Sequence, residues 1–122
     1  MRVFLGLLVG TISLSLLGMA GIGQDYAAGH SKGKAIYENY CFRCHGVNGE
    51  GDGSDAETLT VPPANFQSIE SRMKSEHALR SSVVWGLAFS PMHKWFDKLT
   101  PEEMRAVVQY IRQIAPFQAK PN

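Results

Sequence analysis

Only two cysteines occur in the chain, Cys41 and Cys44, and a histidine, His45, directly follows the second. A disulfide across so short a gap would remove little chain entropy and could not join distant segments. The 122 residues must therefore hold together without a covalent staple, although 12 of them are glycine. A chain of this size and composition builds a thin core, so something else has to supply its apolar centre.

The first residues are unlike the rest. Met1-Arg2 is followed by an apolar run that carries no charge until Asp25, and small residues at Gly18 and Ala20 close it. This pattern predicts that residues 1–20 are a signal peptide, cut before Gly21, or an N-terminal membrane anchor. Both readings stay open, because the uncharged stretch Val3–Gly23 is long enough to cross a bilayer. Either way the remainder is exported, and a periplasmic or membrane-anchored, periplasm-facing location follows. No cysteine lies near the cut, so a lipid-anchored lipoprotein is not indicated.

Residues 21–30 read as a flexible tether, residues 31–116 as one domain and residues 117–122 as a C-terminal tail. From Ser31 the pattern is helical, with Gly33, Ile36, Tyr37, Tyr40, Cys41 and Cys44 on one face. The glycine-rich stretch 46–55 cannot be regular structure, and Val61-Pro62-Pro63-Ala64-Asn65-Phe66 is extended because proline pushes its predecessor out of the α region. A middle helix is predicted over about Ser75 to Trp85, with Leu79 and Val83 inward and Gly86 as its stop. The last helix has the clearest start, with Thr100 as N-cap, Pro101 at N1 and Glu103 completing a capping box. Met104, Val107, Val108, Ile111 and Ala115 mark its apolar face. No segment alternates with period two, so the fold class is all-α.

Charge excludes some partners. Without Arg2 the 12 Lys+Arg fall to 11, equal to the 11 Asp+Glu. No basic block points to nucleic acid. Neutrality also argues against strong steering towards one highly charged partner.

Cys41-Phe42-Arg43-Cys44-His45 is C-x-x-C-H, the attachment signature of haem c. Thiols three apart at a helix end project to one side, where each can add to a vinyl group of a porphyrin. His45 then follows in place to bind the iron. A covalent haem would also fill the missing core. A redox-active dithiol would need a βαβ setting that the chain lacks. A zinc site would need a second closely spaced ligand pair, whereas His77 and His93 stand alone. Glu50, Asp52, Asp55 and Glu57 read as a solvated loop, since a closing bidentate acid is missing.

With these residues in view, the chain resembles the class I monohaem cytochromes c over most of residues 31–115. Gly33 and Tyr37 are similar to the family's N-terminal helix, where a small residue lets the C-terminal helix cross closely. Val107 to Arg112 resembles that partner helix, with Tyr110 at the crossing. The glycine-rich turn 45–53 and the Pro62–Phe66 loop also have counterparts. The resemblance implies a small fold of three main helices and long loops wrapped around one covalent haem. It implies that a proline carbonyl, by position Pro63, accepts the N–H of His45. It further implies a methionine sixth ligand before the last helix, which Met92 in Ser90-Pro91-Met92-His93 matches, although Pro91 precedes the methionine where the family often has proline after it. His93 is the adjacent alternative. Trp85, Phe89, Trp95 and Phe96 are expected to wall the haem pocket.

The function this implies is one-electron transfer between a protein donor and acceptor, without catalysis of its own. Arg43, Lys94 and Lys98, with Glu102 and Glu103 beyond, would give a mixed-charge docking patch. Two other readings stay open: a haem-bearing subunit of a larger membrane-associated complex, and a small-molecule-reducing enzyme with an open iron site.

Overall fold

The structure, a computed structural model, describes residues 20–120, with side chains from Ala28 onward. Its elements are α1 (Ala20–Tyr40), α2 (Phe42–His45), α3 (Ile69–Arg72), α4 (Glu76–Trp85) and α5 (Pro101–Ile114), with a short 3₁₀ turn over Ala56–Thr58. The described residues contain no strand, and the all-α expectation holds. Almost all of the predicted leader lies outside the described residues. Among the described residues no helix is long and apolar enough to cross a membrane.

Local sequence dictates α5. The Thr100 hydroxyl accepts from the Glu103 N–H at 3.2 Å, and the Glu103 carboxylate accepts from the Thr100 N–H at 2.9 Å. Two of the helix's orphan N-terminal donors are thereby satisfied. The predicted apolar face is buried along its length, with Val108 fully inaccessible to solvent. On α4 the Ser75 hydroxyl accepts from the Ala78 N–H at 3.1 Å, so the helix starts at the predicted residue, and Leu79 and Val83 point inward.

α1 is longer than expected. The segment predicted as a tether, 21–30, is helical and continuous with the rest of α1. Nothing in it forbids a helix: it contains no proline, and its alanines offset glycines that are costly but tolerated in helices. At its other end α1 crosses α5 at very close range. A Cβ added to Gly33 would lie 2.1 Å from the carbonyl oxygen of Ala106, so only glycine allows this approach. Tyr37 and Tyr110 pack beside the crossing with ring centroids 5.3 Å apart.

Phe66, Trp95 and Leu99 carry the core out of the helices and into the loops. Beyond α5 the chain turns back, where the Gln118 N–H donates to the Arg72 carbonyl at 3.1 Å.

Candidate functional site

The two thiols and His45 come together on one short turn. The Cys41 N–H donates to the Tyr37 carbonyl at 2.9 Å, finishing α1, and the His45 N–H donates to the Cys41 carbonyl at 2.9 Å within the next turn. α2 is too short to satisfy its own carbonyls. The glycine-rich loop does so instead: Gly51 donates to His45, Gly53 to Cys44 and Asp55 to Arg43, at 2.8, 3.2 and 2.8 Å. A Cβ on Gly53 would sit 2.2 Å from the Arg43 carbonyl oxygen, so this return path requires glycine. The Tyr37 hydroxyl, its pKa raised by burial, closes the turn by donating to the Gly46 carbonyl at 2.7 Å.

The His45 ring is held on two sides. Nδ1 lies 3.1 Å from the carbonyl oxygen of Ala64, and a carbonyl can only accept, so Nδ1 carries the proton. The ring stacks on Phe66 with centroids 4.5 Å apart and planes 16° apart. The accepting carbonyl is therefore that of Ala64 and not of Pro63 as expected. Both lie in one extended segment, and the Pro63 oxygen is turned instead towards Gly51. Burial lowers the His45 pKa, against the Ala64 bond that raises it. A neutral imidazole with Nδ1 protonated leaves Nε2 free to bind a metal.

A cleft of about 1170 Å³, its open mouth included, lies over these groups. It is lined by Leu79 and Val83 of α4, by Val107 and Ile111 of α5, and by Trp95 and Leu99. Burial pushes the Cys41 thiol up to about 12, with Cys44 adding to the effect. A thiol so hard to ionise is a poor redox dithiol.

The loop before α5 lines the same cleft. The Met92 N–H donates to the Ser90 hydroxyl at 3.1 Å, and its carbonyl accepts from the Leu87 N–H at 2.9 Å. Downstream, the Trp95 N–H reaches the Val83 and Val84 carbonyls at 3.2 Å each. Met92 is thereby fixed, half-buried against the core and lining the cleft. His93 also borders the cleft, but it is exposed and its ring leans on Trp95 at 4.5 Å between centroids.

Of the four aromatic residues expected to wall the pocket, only Trp95 does so. Trp85 and Phe96 pair outside it at 5.4 Å between centroids. Phe89 is fully exposed, with a positive φ of 59° in the turn between Leu87 and Ser90. At the third position of that turn its side chain is left in solvent despite its apolar character. Sequence reasoning missed the role of Phe66, whose only signal was its place two residues after Ala64. Arg43 is engaged by Asp55 at 3.0 Å, and His77 lies in a separate depression, away from the cysteines.

The donor set and the lining suit one kind of group: flat, largely apolar, bound through two thiols and a neutral imidazole. The cytochrome c family model matches residues 30–115. The chain belongs to the cytochrome c family. Its members carry covalently bound haem c, and Cys41 and Cys44 have the spacing of the attachment motif. This cytochrome thus has the residues that would hold one haem c.

Solved structures agree on the fold. The cytochrome is similar to a chain of the Kuenenia stuttgartiensis reducing HAO-like protein complex Kustc0457/Kustc0458, with 26% identity over 72% of this chain and a TM-score of 0.67. It spans only 44% of that chain's length. It is also similar to the KustC0563 c-type cytochrome, with 30% identity over 67% of this chain and 95% of that one, and a TM-score of 0.55. The dihydro-heme d1 dehydrogenase NirN in complex with DHE shares the fold at 22% identity, covering 75% of this chain and 17% of that one, with a TM-score of 0.53. No curated protein sequence matches the chain.

Proposed function

We propose that this cytochrome is an exported carrier of single electrons whose haem iron would be held by His45 and Met92, working in the periplasm or tethered to the membrane facing it. The observation that carries this reading is the placement of Met92, a thioether held half-buried in the cleft by backbone bonds on both sides, while His93 packs outward on Trp95. When bound, the haem supplies a one-electron iron couple. Cys41 and Cys44 would hold it covalently, each through a thioether. His45 keeps its tautomer through Ala64, which directs Nε2 to the metal and raises the ring's basicity. Leu79, Val83, Val107 and Ile111 exclude water, and the methionine thioether favours the reduced state and a high potential. Among the lining residues Ser71 and Lys74 offer donors for the haem's carboxylates. With His45 and Met92 both on the iron, no position would remain for a substrate, which favours a carrier over an enzyme.

Met92→Ala should abolish the ferric methionine-to-iron charge-transfer band and lower the potential, while His93→Ala changes both little. The reverse pattern would make this a bis-histidine cytochrome with other partners. A second reading, a fixed subunit of a larger membrane-associated complex, is favoured by the likeness to a chain of a multi-protein complex, of which the match covers 44%. Purification from native membranes decides it: a carrier runs alone, a subunit with its complex.

A further inference from the structure

α4 separates two cavities. Leu79, Ser82 and Val83 face the haem cleft, whereas His77, Arg80, Ser81 and Trp85 line a depression on the other side of the helix. Those four stand at i, i+3, i+4 and i+8, which places them along one helical face. From across the depression α5 contributes Arg105 and the buried Met104. The polar groups that line it are two guanidinium groups, an imidazole and a hydroxyl, with no carboxylate among the lining residues.

Arg80 is not spent elsewhere, and Arg105 has only an exposed partner. Arg80 is half-buried and has no ion pair or hydrogen bond among the described residues. Arg105 meets Glu102 of its own helix at 2.9 Å, an exposed contact that contributes little and exchanges readily. A concave site that gathers two cations and leaves one unpaired sustains a local positive potential. Trp85, 68% exposed, stands at its edge with a large apolar face turned to solvent.

We propose that this depression binds an oxyanion, a carboxylate or phosphate group, between Arg80 and Arg105, with Trp85 as its wall. Guanidinium forks match the planar spacing of carboxylate and phosphate oxygens, which a point-charge ammonium does not. His77 and Ser81 add hydrogen-bond donors along the same face. The site owes nothing to the axial-ligand assignment, so it stands or falls separately from the proposed function. It lies one helix away from the haem, and an anion bound there sits outside the cleft.

The test is proton–nitrogen NMR of the reduced holoprotein, following the Trp85 indole N–H and the Arg80 side-chain N–H. Inorganic phosphate and glutarate are titrated separately, with sodium chloride at matched ionic strength as control. The expected result is a saturable shift of both signals with at least one of the two anions and none with chloride. Arg80→Gln and Arg105→Gln should each weaken binding about tenfold, the usual effect of losing a charged hydrogen bond, with the haem spectrum unchanged. Tighter phosphate binding identifies a free phosphate as the source, and tighter glutarate binding a carboxylate. Should a Gln variant lose the native haem spectrum, Arg80→Lys takes its place, expected to weaken binding by removing the fork while keeping the charge. Shifts that do not saturate, that chloride reproduces, or whose affinity the arginine variants leave unchanged overturn the proposal.

Discussion

The imidazole of His45 lies almost parallel to the ring of Phe66, with centroids 4.5 Å apart. Phe66 is itself buried in the core, so the core reaches the site through this ring. Phe66→Ala should cost about 3–5 kcal/mol, the range for emptying a buried aromatic position. It should also loosen the histidine, so that acid breaks the proposed His45–iron bond at a higher pH than in the wild type. Denaturant melts and an acid titration followed by absorbance give both readings. A melt close to wild type would remove Phe66 from the account of the site.

Gly33 and Gly29 both lie in α1, but they meet different surroundings. A methyl group at Gly33 would run into the Ala106 backbone, whereas one at Gly29 would meet only the end of the Gln109 side chain at 3.8 Å. Gly33→Ala should therefore destabilise by about 1–3 kcal/mol or more, because backbone cannot yield as a side chain can. Gly29→Ala should stabilise by roughly 0.5–1 kcal/mol through helix propensity. Melting temperatures of the two variants should move in opposite directions.

The capping box carries a pH signature. The backbone N–H of Thr100 holds the Glu103 carboxyl below its ordinary value of 4.5. A depressed folded-state pKa gives stability that is complete above that ordinary value and is lost as pH falls through the lowered one. Glu103→Gln keeps a capping side chain but cannot titrate. Its stability should fall less steeply than the wild type's on the acid side of about pH 4.5. Parallel acid curves would show that the box adds no pH dependence. Thr100→Ala, which removes the cap itself, should cost about 1 kcal/mol at neutral pH.

How much of this was legible in the sequence depends on how local the cause is. The start of α5 was readable because Thr100, Pro101 and Glu103 act on one another within a single turn. The C-x-x-C-H turn was readable because its chemistry fixes its spacing. The choice between the Pro63 and Ala64 carbonyls was not, since an extended loop has no period that settles which oxygen faces His45. Phe89 and Phe96 were misplaced for a related reason: an aromatic ring in a loop carries no marker of which side it will take, whereas Trp85 ends α4 on the helical face turned away from the cleft. The helical course of residues 21–30 was hidden by glycines whose cost is real but small. Arg80 and His77 share a face by spacing alone, but Arg105 joins them only through the packing of α4 on α5.

The most direct measurement is the fate of the haem when native protein is denatured in acidified organic solvent. With both thioethers formed at Cys41 and Cys44, the haem stays on the polypeptide, and the intact mass equals the chain plus one haem. Cys44→Ser should leave at most one thioether. Free haem in the organic phase, or stoichiometric zinc in place of iron, would contradict the account.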